Sequence, residues 1–347
     1  MGEYSVSQIN LNDKRAVAEL DSLLMRENIR RDANLEYTAG IYDDEYKLIA
    51  TGSCYANTLR CLAVDSALQG EGLMNLIVSN LVEYQMSRGN SHLFIYTKCD
   101  KAALFNSMGF YEIANVDGKV SFMENRKAGF AAFLENLAKQ KRDGKTAAVV
   151  VNCNPFTLGH RYLIEKCAAE NDIVHVFVVS ENASLIPFAD RYAMVKVGCA
   201  DLENVILHKS GSYMISNAVF PSYFLADEDD VIHAHTSLDT ALFIEIAKAL
   251  GINRRYVGEE PTSRVTNIYN STMLEKLPEA GIECIVIPRK SFGEKIISAS
   301  NVRQLIHDDK LDEIRDLVPP STFDFFKSDA GAEVVKKIKA KAEVKHY

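Results

Sequence analysis

The pattern of apolar and polar residues along the chain changes near residue 146. Beyond it, short apolar runs alternate with stretches in which apolar residues recur at helical spacing. The apolar runs predict strands at 146–152, 173–179, 204–208, 231–234, 255–258 and 282–287. The intervening stretches predict helices near 159–170, 189–200, 238–250, 271–280 and 299–308. This alternation predicts a Rossmann-like, doubly wound α/β domain, in which helices cover both faces of a parallel sheet.

The first third of the chain predicts a mixture of strands and helices instead. Residues 46–55 and 58–64 have the composition of neighbouring strands joined by a turn. Apolar residues at helical spacing predict a helix over 73–85, and 92–97 predicts a short buried strand. We therefore expect an α+β domain ahead of the α/β domain.

Chain length and local composition divide the sequence further. A chain of 347 residues exceeds what one hydrophobic core usually organises, so two domains are expected. A helical, increasingly charged stretch between them predicts a connector, and the lysine-rich C-terminus predicts a solvated helix. The predicted regions are an α+β domain at 1–127, a helical connector at 128–145, an α/β domain at 146–328 and a charged tail at 329–347.

Charge and composition argue against several classes of function. The formal net charge is -8 and no long basic block is present, which disfavours a general nucleic-acid or anionic-membrane role. The N-terminus lacks the pattern of a signal peptide, and no apolar run long enough to span a membrane follows. The cysteines are scattered without a CxxC pair, as in proteins with reduced thiols. We therefore expect a cytoplasmic protein with no nucleic-acid or membrane partner.

One pair of histidines has a spacing that metal ligands use. His233 and His235 flank Ala234, but no cysteine or carboxylate accompanies them at a metal-site spacing. On the predicted strand both imidazoles would point to one face. A structural or substrate-lining role is therefore favoured, and no metal site formed by the protein is expected.

A polar loop follows the first strand of the predicted α/β domain. It reads Asn154-Pro155-Phe156-Thr157-Leu158-Gly159-His160 and leads directly into a helix. Ligands of parallel α/β sheets bind at this end of the strands, where a helix N-terminus attracts phosphate. Gly159 would allow a ligand to approach the backbone closely, and His160 would donate to a phosphate oxygen. By itself the segment also fits an ordinary loop with a capping threonine and a surface histidine.

A second segment of similar character lies near the end of the same domain. It reads Ile297-Ser298-Ala299-Ser300-Asn301-Val302-Arg303, with two hydroxyl groups and an arginine at another predicted helix start. Taken alone it fits a serine N-cap followed by a surface arginine. Because both segments occur in one α/β unit, together they favour a polyphosphate site. Arg289 and Lys290 fit either added positive charge near the phosphates or a solvated loop.

The two segments resemble the T/H-x-G-H and I-S-S-T-x-x-R signatures of the nucleotidylyltransferase superfamily, with Ala299 and Ser300 replacing Ser and Thr in the second. Residues 188–194 and 256–261 resemble weaker family features, an arginine-bearing helix start and the strand end beside the adenine. The resemblance covers roughly 146–325 and implies attack of an oxyanion on the α-phosphate of ATP, with Mg2+ accompanying the nucleotide. It implies catalytic roles for His160, Thr157 and Arg303. It implies ATP-binding roles for Asn154, Pro155, Phe156, Gly159, Arg191, Gly258, Glu259, Ile297, Ser298 and Ser300.

The α+β domain contains a glycine-rich turn between a strand and a helix. The turn, Gln69-Gly70-Glu71-Gly72, presents backbone amides that could hold a pyrophosphate. It resembles the Q/R-x-x-G-x-G/A loop of the GNAT acetyltransferases, although Met74 replaces the last small residue. Residues 105–110 resemble the later F-x-x-x-G-F feature of that family. The resemblance implies that Gln69, Gly70 and Gly72 bind a CoA-like arm. A domain that has lost ligand binding and only packs or docks is the alternative.

The order of the two domains resembles the citrate lyase ligase family over nearly the whole chain. This resemblance implies that ATP and acetate form acetyl-AMP. The acetyl group then passes to the thiol of the CoA-like prosthetic group on the citrate lyase acyl carrier protein. Three other functions stay open at this point: a nucleotidylyltransferase that joins AMP to a phosphorylated acceptor, an N-acetyltransferase with an ATP-sensing domain, and a non-catalytic docking protein.

Overall fold

A computed structural model gives the fold of the chain in two compact units. One unit contains Met1–Ala132 with Pro221–Ala234, and the other contains Phe133–Phe220 with His235–Tyr347. The structure describes residues 4–116, 118–181, 183–214, 220–221, 223, 228–259, 264–292, 295–341 and 344.

The first unit is built on a seven-stranded mixed sheet. Its strands are β1 (Val6–Gln8), β2 (Tyr37–Tyr42), β3 (Leu48–Tyr55), β4 (Thr58–Val64), β5 (Phe94–Thr97), β6 (Tyr111–Val116) and β7 (Val120–Glu124). They lie in the order β1-β2-β3-β4-β5-β7-β6, and every neighbouring pair is antiparallel except β4 with β5. Its helices are α1 (Lys14–Arg26), α2 (Leu73–Ser87) and α3 (Ala102–Ser107). The α+β class predicted for this region is confirmed.

Helix α2 packs on β3 at a glycine that allows close approach. A Cβ at Gly52 would lie 2.6 Å from the side chain of Ile77 and 2.9 Å from that of Leu81. Both side chains are fully buried, so the helix buries one apolar stripe on the sheet. This packing fixes the position of the N-terminus of α2 and of the turn that precedes it.

Helix α4 (Gly129–Ala138) lies within the predicted connector and precedes a five-stranded parallel sheet. The strands of that sheet are β8 (Thr146–Val151), β9 (Ile173–Val178), β10 (Val205–Lys209), β11 (Arg254–Gly258) and β12 (Glu283–Ile287). Their order is β10-β9-β8-β11-β12, with every pair parallel. The chain winds outward from β8 in one direction and then from β11 in the other. The predicted doubly wound architecture is therefore confirmed.

Helices cover both faces of this sheet. Those of the second part of the chain are α5 (Leu158–Glu170), α6 (Phe188–Gly198), α7 (Glu228–Leu250), α8 (Arg264–Glu279), α9 (Ala299–His307), α10 (Pro320–Lys327) and α11 (Asp329–Lys339), and a two-stranded ribbon joins β13 (Ser291–Phe292) to β14 (Lys295–Ile296). On one face, side chains of α5, α6, α9, α10 and α11 share a core with Val149 and Val176. On the other face, Phe243 of α7 contacts Arg255 of β11. None of the described helices is long and apolar enough to cross a membrane.

Two predictions of secondary structure are wrong. The strand predicted at 231–234 is part of helix α7, because a short apolar run cannot be distinguished by periodicity from a turn of a buried helix. The C-terminal helix α11 is not simply solvated, since Val334 and Ile338 are buried in the core of the second unit. Its lysines lie on the other face, so charge composition alone concealed the buried stripe.

Candidate nucleotide-binding site

The centre of the parallel sheet provides a crevice for a ligand. Strands β8 and β11 are neighbours there, and the winding direction reverses between them. In open α/β sheets ligands bind outside the carboxyl ends of the strands at such a reversal. The loop 152–157 follows β8, and Gly258 ends β11. The sequence-predicted residues of both segments therefore lie at the carboxyl edge of adjacent strands.

Thr157 and His160 form a reciprocal cap at the start of helix α5. The Thr157 backbone N–H donates to Nδ1 of His160 at 3.1 Å, and Oγ1 of Thr157 lies 2.9 Å from the same nitrogen. In return, the His160 backbone N–H donates to Oγ1 of Thr157 at 3.4 Å. Because Nδ1 accepts from a backbone amide, a neutral ring carries its proton on Nε2.

His160 is neutral at physiological pH. Burial lowers the pKa of its imidazole to about 4, and the positive charges of Arg289 and Arg303 contribute to the same shift. The ring therefore presents an uncharged Nε2–H donor. Such a donor can bond to a phosphate oxygen without first losing or gaining a proton.

The structure brings the second segment against the first. A Cβ placed on Gly159 would lie 3.1 Å from the carbonyl oxygen of Ile297. Ser298 caps helix α9, since its Oγ accepts from the Asn301 backbone N–H at 3.1 Å and lies 3.0 Å from Oγ of Ser300. Two helix N-termini and two hydroxyl groups thus belong to one region, as a polyphosphate site requires.

Positive charge surrounds the N-terminal part of α5. The Nε of Arg289 donates to the carbonyl oxygen of Glu259 at 2.8 Å, which holds this guanidinium beside the end of β11. Lys290 and Lys166 both place their ammonium groups over the ring of Tyr162, at 5.5 Å and 5.7 Å from its centre. The sequence left the role of Arg289 open, and the positive charge of Arg289 helps to lower the pKa of His160 at the start of α5.

Arg303 lies beneath the loop rather than on its surface. The residue is 3% exposed, and its Nη1 donates to the carbonyl oxygen of Asn154 at 2.5 Å while Nε donates to that of Val344 at 2.7 Å. Burial lowers its pKa to about 10, so the guanidinium keeps its charge at neutral pH. In this arrangement Arg303 ties the loop to the C-terminal segment, and its contact with ATP stays a prediction.

Arg191 is likewise enclosed, on helix α6. Its guanidinium donates to backbone carbonyl oxygens that follow the ends of β8 and β9 and to those of the loop between β9 and α6. The acceptors are the carbonyl oxygens of Asn152, Val179, Glu181 and Ile186, together with Oδ1 of Asn152. The described contacts are those of a residue that positions the loop, and an ATP-binding role for Arg191 stays a prediction.

The side chains of Asn154 and Phe156 are buried beneath the loop, next to these arginines. Asn154 is 2% exposed, and its Oδ1 accepts from the Ile186 backbone N–H at 3.2 Å. Its Nδ2 has no hydrogen-bond partner among the described residues. Phe156 is fully buried, and its carbonyl oxygen accepts from the hydroxyl of Thr322 at 2.8 Å. These contacts fix the backbone from which Thr157 and Gly159 project.

The end of β11 offers open space beside the backbone. A Cβ on Gly258 would have no heavy atom within 4 Å. The Gly258 carbonyl oxygen accepts from Nδ2 of Asn270 at 3.2 Å, and the Glu259 N–H donates to the carbonyl oxygen of Ile287 at 2.9 Å. The end of the strand is thus hydrogen-bonded and uncrowded, which is compatible with the predicted adenosine contact. Residues 260 and 261, which extend the resemblance at this point, lie outside the described residues.

A cavity of about 420 Å³ lies in the first unit and includes the glycine-rich turn. Strands β4 and β5 pair only at Thr58 with Phe94 and Leu59 with Ile95, and beyond these pairs they separate. The cavity opens between them and ends at the N-terminus of α2, where Gly72 has a φ of +81°. Its lining includes the predicted residues and mostly apolar side chains: Gln69, Gly70, Gly72, Leu62, Val64, Leu73, Met74, Leu104, Phe105 and Met108.

Comparisons with known proteins identify the family. A model of the citrate lyase ligase C-terminal domain matches residues 146–326. The citrate (pro-3S)-lyase ligase of Escherichia coli (strain K12) is 36% identical over 94% of this chain and 95% of its own length. The chain belongs to the citrate lyase ligase family. The corresponding ligases of Klebsiella pneumoniae and Haemophilus influenzae are 36% and 35% identical and cover 93% and 90% of this chain, with 96% of each relative matched.

Solved structures of GNAT acetyltransferases match the N-terminal region of this family member. Escherichia coli ElaA matches 36% of this chain and all of its own (100%), with 13% identity and a TM-score of 0.31. The Escherichia coli GNAT family N-acetyltransferase YhbS, solved in complex with CoA, matches 36% of this chain and 83% of its own, with 16% identity and a TM-score of 0.28.

No group of three or more His, Cys, Asp and Glu side chains that could hold a metal ion occurs among the described residues. His233 and His235 lie on helix α7, where His233 is exposed and His235 is 2% exposed, so the predicted shared face is wrong. The Mg2+ expected with ATP stays a prediction, and such an ion is usually bound by phosphates and water with few protein ligands.

Proposed function

We propose that this protein uses ATP and acetate to acetylate the thiol of the CoA-like prosthetic group on the citrate lyase acyl carrier protein. An oxygen of acetate attacks the α-phosphorus of ATP, and the bond to the β-phosphate oxygen breaks, which gives acetyl-AMP and pyrophosphate. The thiol sulfur then attacks the acetyl carbonyl carbon. The bond from that carbon to the phosphate oxygen breaks, AMP leaves and the thiol proton passes to solvent.

The junction between Gly159 and Ile297 carries this proposal. It places the N-termini of α5 and α9 and the neutral His160 beside one another at the strand reversal. In the adenylation step His160 donates its Nε2–H to a phosphate oxygen that gains charge as pyrophosphate leaves. Ser298 and Ser300 bind the β and γ phosphates, and Arg289 adds positive charge. Bound Mg2+ would neutralise phosphate charge and orient the leaving group.

The cavity of the first unit supports a role in the second step. Its apolar walls fit the pantetheine portion of a CoA-like arm, and the amides of Gly70 and Gly72 fit a pyrophosphate. Lys98 and Lys101 also line the cavity and add positive charge for phosphate groups. We therefore assign the arm of the carrier protein to this cavity and the chemistry of ATP to the parallel sheet.

An isotope-exchange assay tests adenylation. The full-length protein is incubated with ATP, Mg2+ and labelled pyrophosphate, with and without acetate, and label in ATP and acetyl-AMP are measured. Exchange that depends on acetate is expected. Exchange without acetate, or a stable dinucleotide formed with a phosphorylated acceptor, would reject acetate activation in favour of a plain nucleotidylyltransferase. Acetylation from acetyl-CoA without ATP would favour an N-acetyltransferase.

A cavity-filling variant tests the second step. Leu104→Trp fills the cavity from a side chain that is 42% exposed, whereas Leu76→Trp alters a side chain that is 41% exposed and does not line it. We expect Leu104→Trp to preserve acetate-dependent exchange and to slow acetylation of the carrier protein about tenfold. Leu76→Trp should change neither rate. If both variants acetylate the carrier protein at the same rate, the arm does not bind in this cavity.

A further inference from the structure

Helix α7 contains a polar stretch that is buried on all sides. The side chains of 235–240 are at most 6% exposed, although five of the six are polar: His235, Thr236, Ser237, Leu238, Asp239 and Thr240. Buried polar groups in proteins are normally satisfied by protein, water or ligand. Oγ1 of Thr240 has no hydrogen-bond partner among the described residues. The proposed function gives this stretch no role.

Arg255 of strand β11 faces this part of α7. It is 4% exposed, and its guanidinium carbon lies 4.0 Å from the ring centre of Phe243. Its Nε is buried without a hydrogen-bond partner in the described part of the chain. Burial lowers the pKa of Arg255 to about 10, partly offset by the negative charge of Asp239, so the side chain is a cation at neutral pH. A buried guanidinium N–H without an acceptor is costly, which makes a ligand that accepts a hydrogen bond, such as an anion, favourable here.

The surrounding side chains define what such an anion can be. Thr240 and Asp239 precede Phe243 by three and four residues, so each lies next to Phe243 on the surface of α7. The Tyr269 hydroxyl on α8 donates to Oδ2 of Asp239, and no described hydrogen bond or ion pair joins Asp239 to Arg255. The Phe243 ring lies against the guanidinium in a cation–π contact. A cation, a hydroxyl group and an aromatic ring on these two elements are the groups that a small anion with an apolar end would need.

We propose that Arg255, Thr240 and Phe243 form the acetate-binding site of this protein. Arg255 pairs with the carboxylate, Thr240 donates its hydroxyl to the same group, and Phe243 contacts the methyl end. Arg255 precedes Gly258 by three residues on one strand, so the site lies below the crevice in which ATP is proposed to bind. The inference rests on the proposed function for the fate of acetate. Its binding test does not depend on ATP.

Kinetics and direct binding test this site separately. Arg255→Lys keeps the charge beside Asp239 but removes the planar fork, and Thr240→Val removes only the hydroxyl. In acetate-dependent exchange, we expect KM for acetate to rise at least tenfold in Arg255→Lys and about threefold in Thr240→Val. KM for ATP should stay within twofold. Arg254→Gln is the matched control, since Arg254 is paired at 3.0 Å with Glu283 and should leave KM for acetate unchanged.

Saturation-transfer NMR with acetate alone, at constant ionic strength in sodium chloride, gives the second readout. Wild type and Arg254→Gln should bind acetate, whereas Arg255→Lys should lose the signal, whether or not exchange is observed. If only exchange is absent, the proposed function fails and the site stands. If Arg255→Lys and Thr240→Val bind acetate as wild type does, the site is rejected. Should Arg255→Lys fail to fold, Thr240→Val decides the question by the same criterion.

Discussion

The backbone N–H of Thr157 donates to Nδ1 of His160, and this one bond determines which ring nitrogen faces outward as a donor. The sequence motif alone does not specify the tautomer. Because the bond lies within the first turn of α5, the histidine is a helix cap, and in the proposed function it is also a donor to phosphate. Loss of the Thr157–His160 bond, or of the donor to phosphate, should therefore change catalysis more than it changes folding.

Substitution of His160 tests its role as a neutral donor. We expect His160→Ala to lower the rate of acetate-dependent exchange about 100- to 1000-fold, as when one preorganised donor to a transition state is removed. Because the pKa of His160 is about 4, kcat of the wild type should show no inflection near pH 6.5. Thr157→Ser keeps the hydroxyl and is the control. A wild-type inflection near pH 6.5 that vanishes in His160→Ala would contradict the neutral assignment.

Two glycines at the strand edge should respond differently to a methyl group. A Cβ at Gly159 meets the Ile297 carbonyl oxygen at 3.1 Å, whereas one at Gly258 meets nothing within 4 Å. We expect the free energy of unfolding of both alanine variants to lie within about 1 kcal/mol of the wild-type value. If adenosine lies against Gly258, Gly258→Ala raises KM for ATP several-fold. Urea unfolding and exchange kinetics measure the two effects, and an unchanged KM for ATP would move the nucleoside away from Gly258.

Gly159→Ala forms a separate prediction because its clash is with the protein. The added methyl pushes the two phosphate-binding segments apart by a few tenths of an ångström, so both kcat and KM for ATP should worsen. We expect a loss of about tenfold in kcat/KM, measured by exchange. Full activity in Gly159→Ala would show that the spacing of the two segments is not critical.

Local patterns were sufficient for much of the fold and for the helix starts of the two loop segments, whose binding of phosphate stays a prediction. Apolar runs predicted all five strands of the parallel sheet. The residue types at the predicted helix starts indicated Thr157 and Ser298 as caps. The error at 231–234 arose because this apolar run is too short to show a helical period and resembles a buried strand in composition. The pattern therefore succeeds where an apolar run spans a whole element and fails where it is a short part of a longer one.

The surroundings of the two buried arginines could not be predicted from sequence. Arg303 donates to carbonyl oxygens of Asn154 and Val344, which lie far from it along the chain. Backbone carbonyl oxygens occur at every residue and leave no signature in the sequence. For the same reason the motif that contains Arg191 gave no indication that its guanidinium is enclosed by protein acceptors.

Arg191→Lys should act on stability before it acts on nucleotide binding. A lysine cannot replace the several carbonyl contacts of the guanidinium, and we expect the free energy of unfolding to fall by about 3 kcal/mol. KM for ATP of the remaining folded protein should stay within about threefold. Arg254→Lys, at a partly exposed ion pair with Glu283, is the control and should cost less than about 1 kcal/mol. Unchanged stability with a large rise in KM for ATP would identify Arg191 as a direct ligand.

The buried pair of His175 and His208 should make the second unit sensitive to acid. Nδ1 of His175 lies 2.8 Å from Nε2 of His208 on the neighbouring strand, and burial lowers the pKa of each ring to about 4. Between pH 6.5 and 4 the unfolded chain binds protons that the folded protein excludes. Stability due to the neutral pair is therefore full above pH 6.5 and is lost as the pH falls towards 4.

Replacement of both rings by leucine should remove that dependence. In His175→Leu/His208→Leu we expect the loss of unfolding free energy between pH 7 and pH 4.5 to be smaller by on the order of 1 to 3 kcal/mol than in wild type. Urea titrations followed by circular dichroism at several pH values measure the slope. His233→Gln, at an exposed histidine, should keep the wild-type slope. If the double variant keeps it as well, protonation of this pair does not drive acid unfolding, and other buried groups such as His160 must account for it.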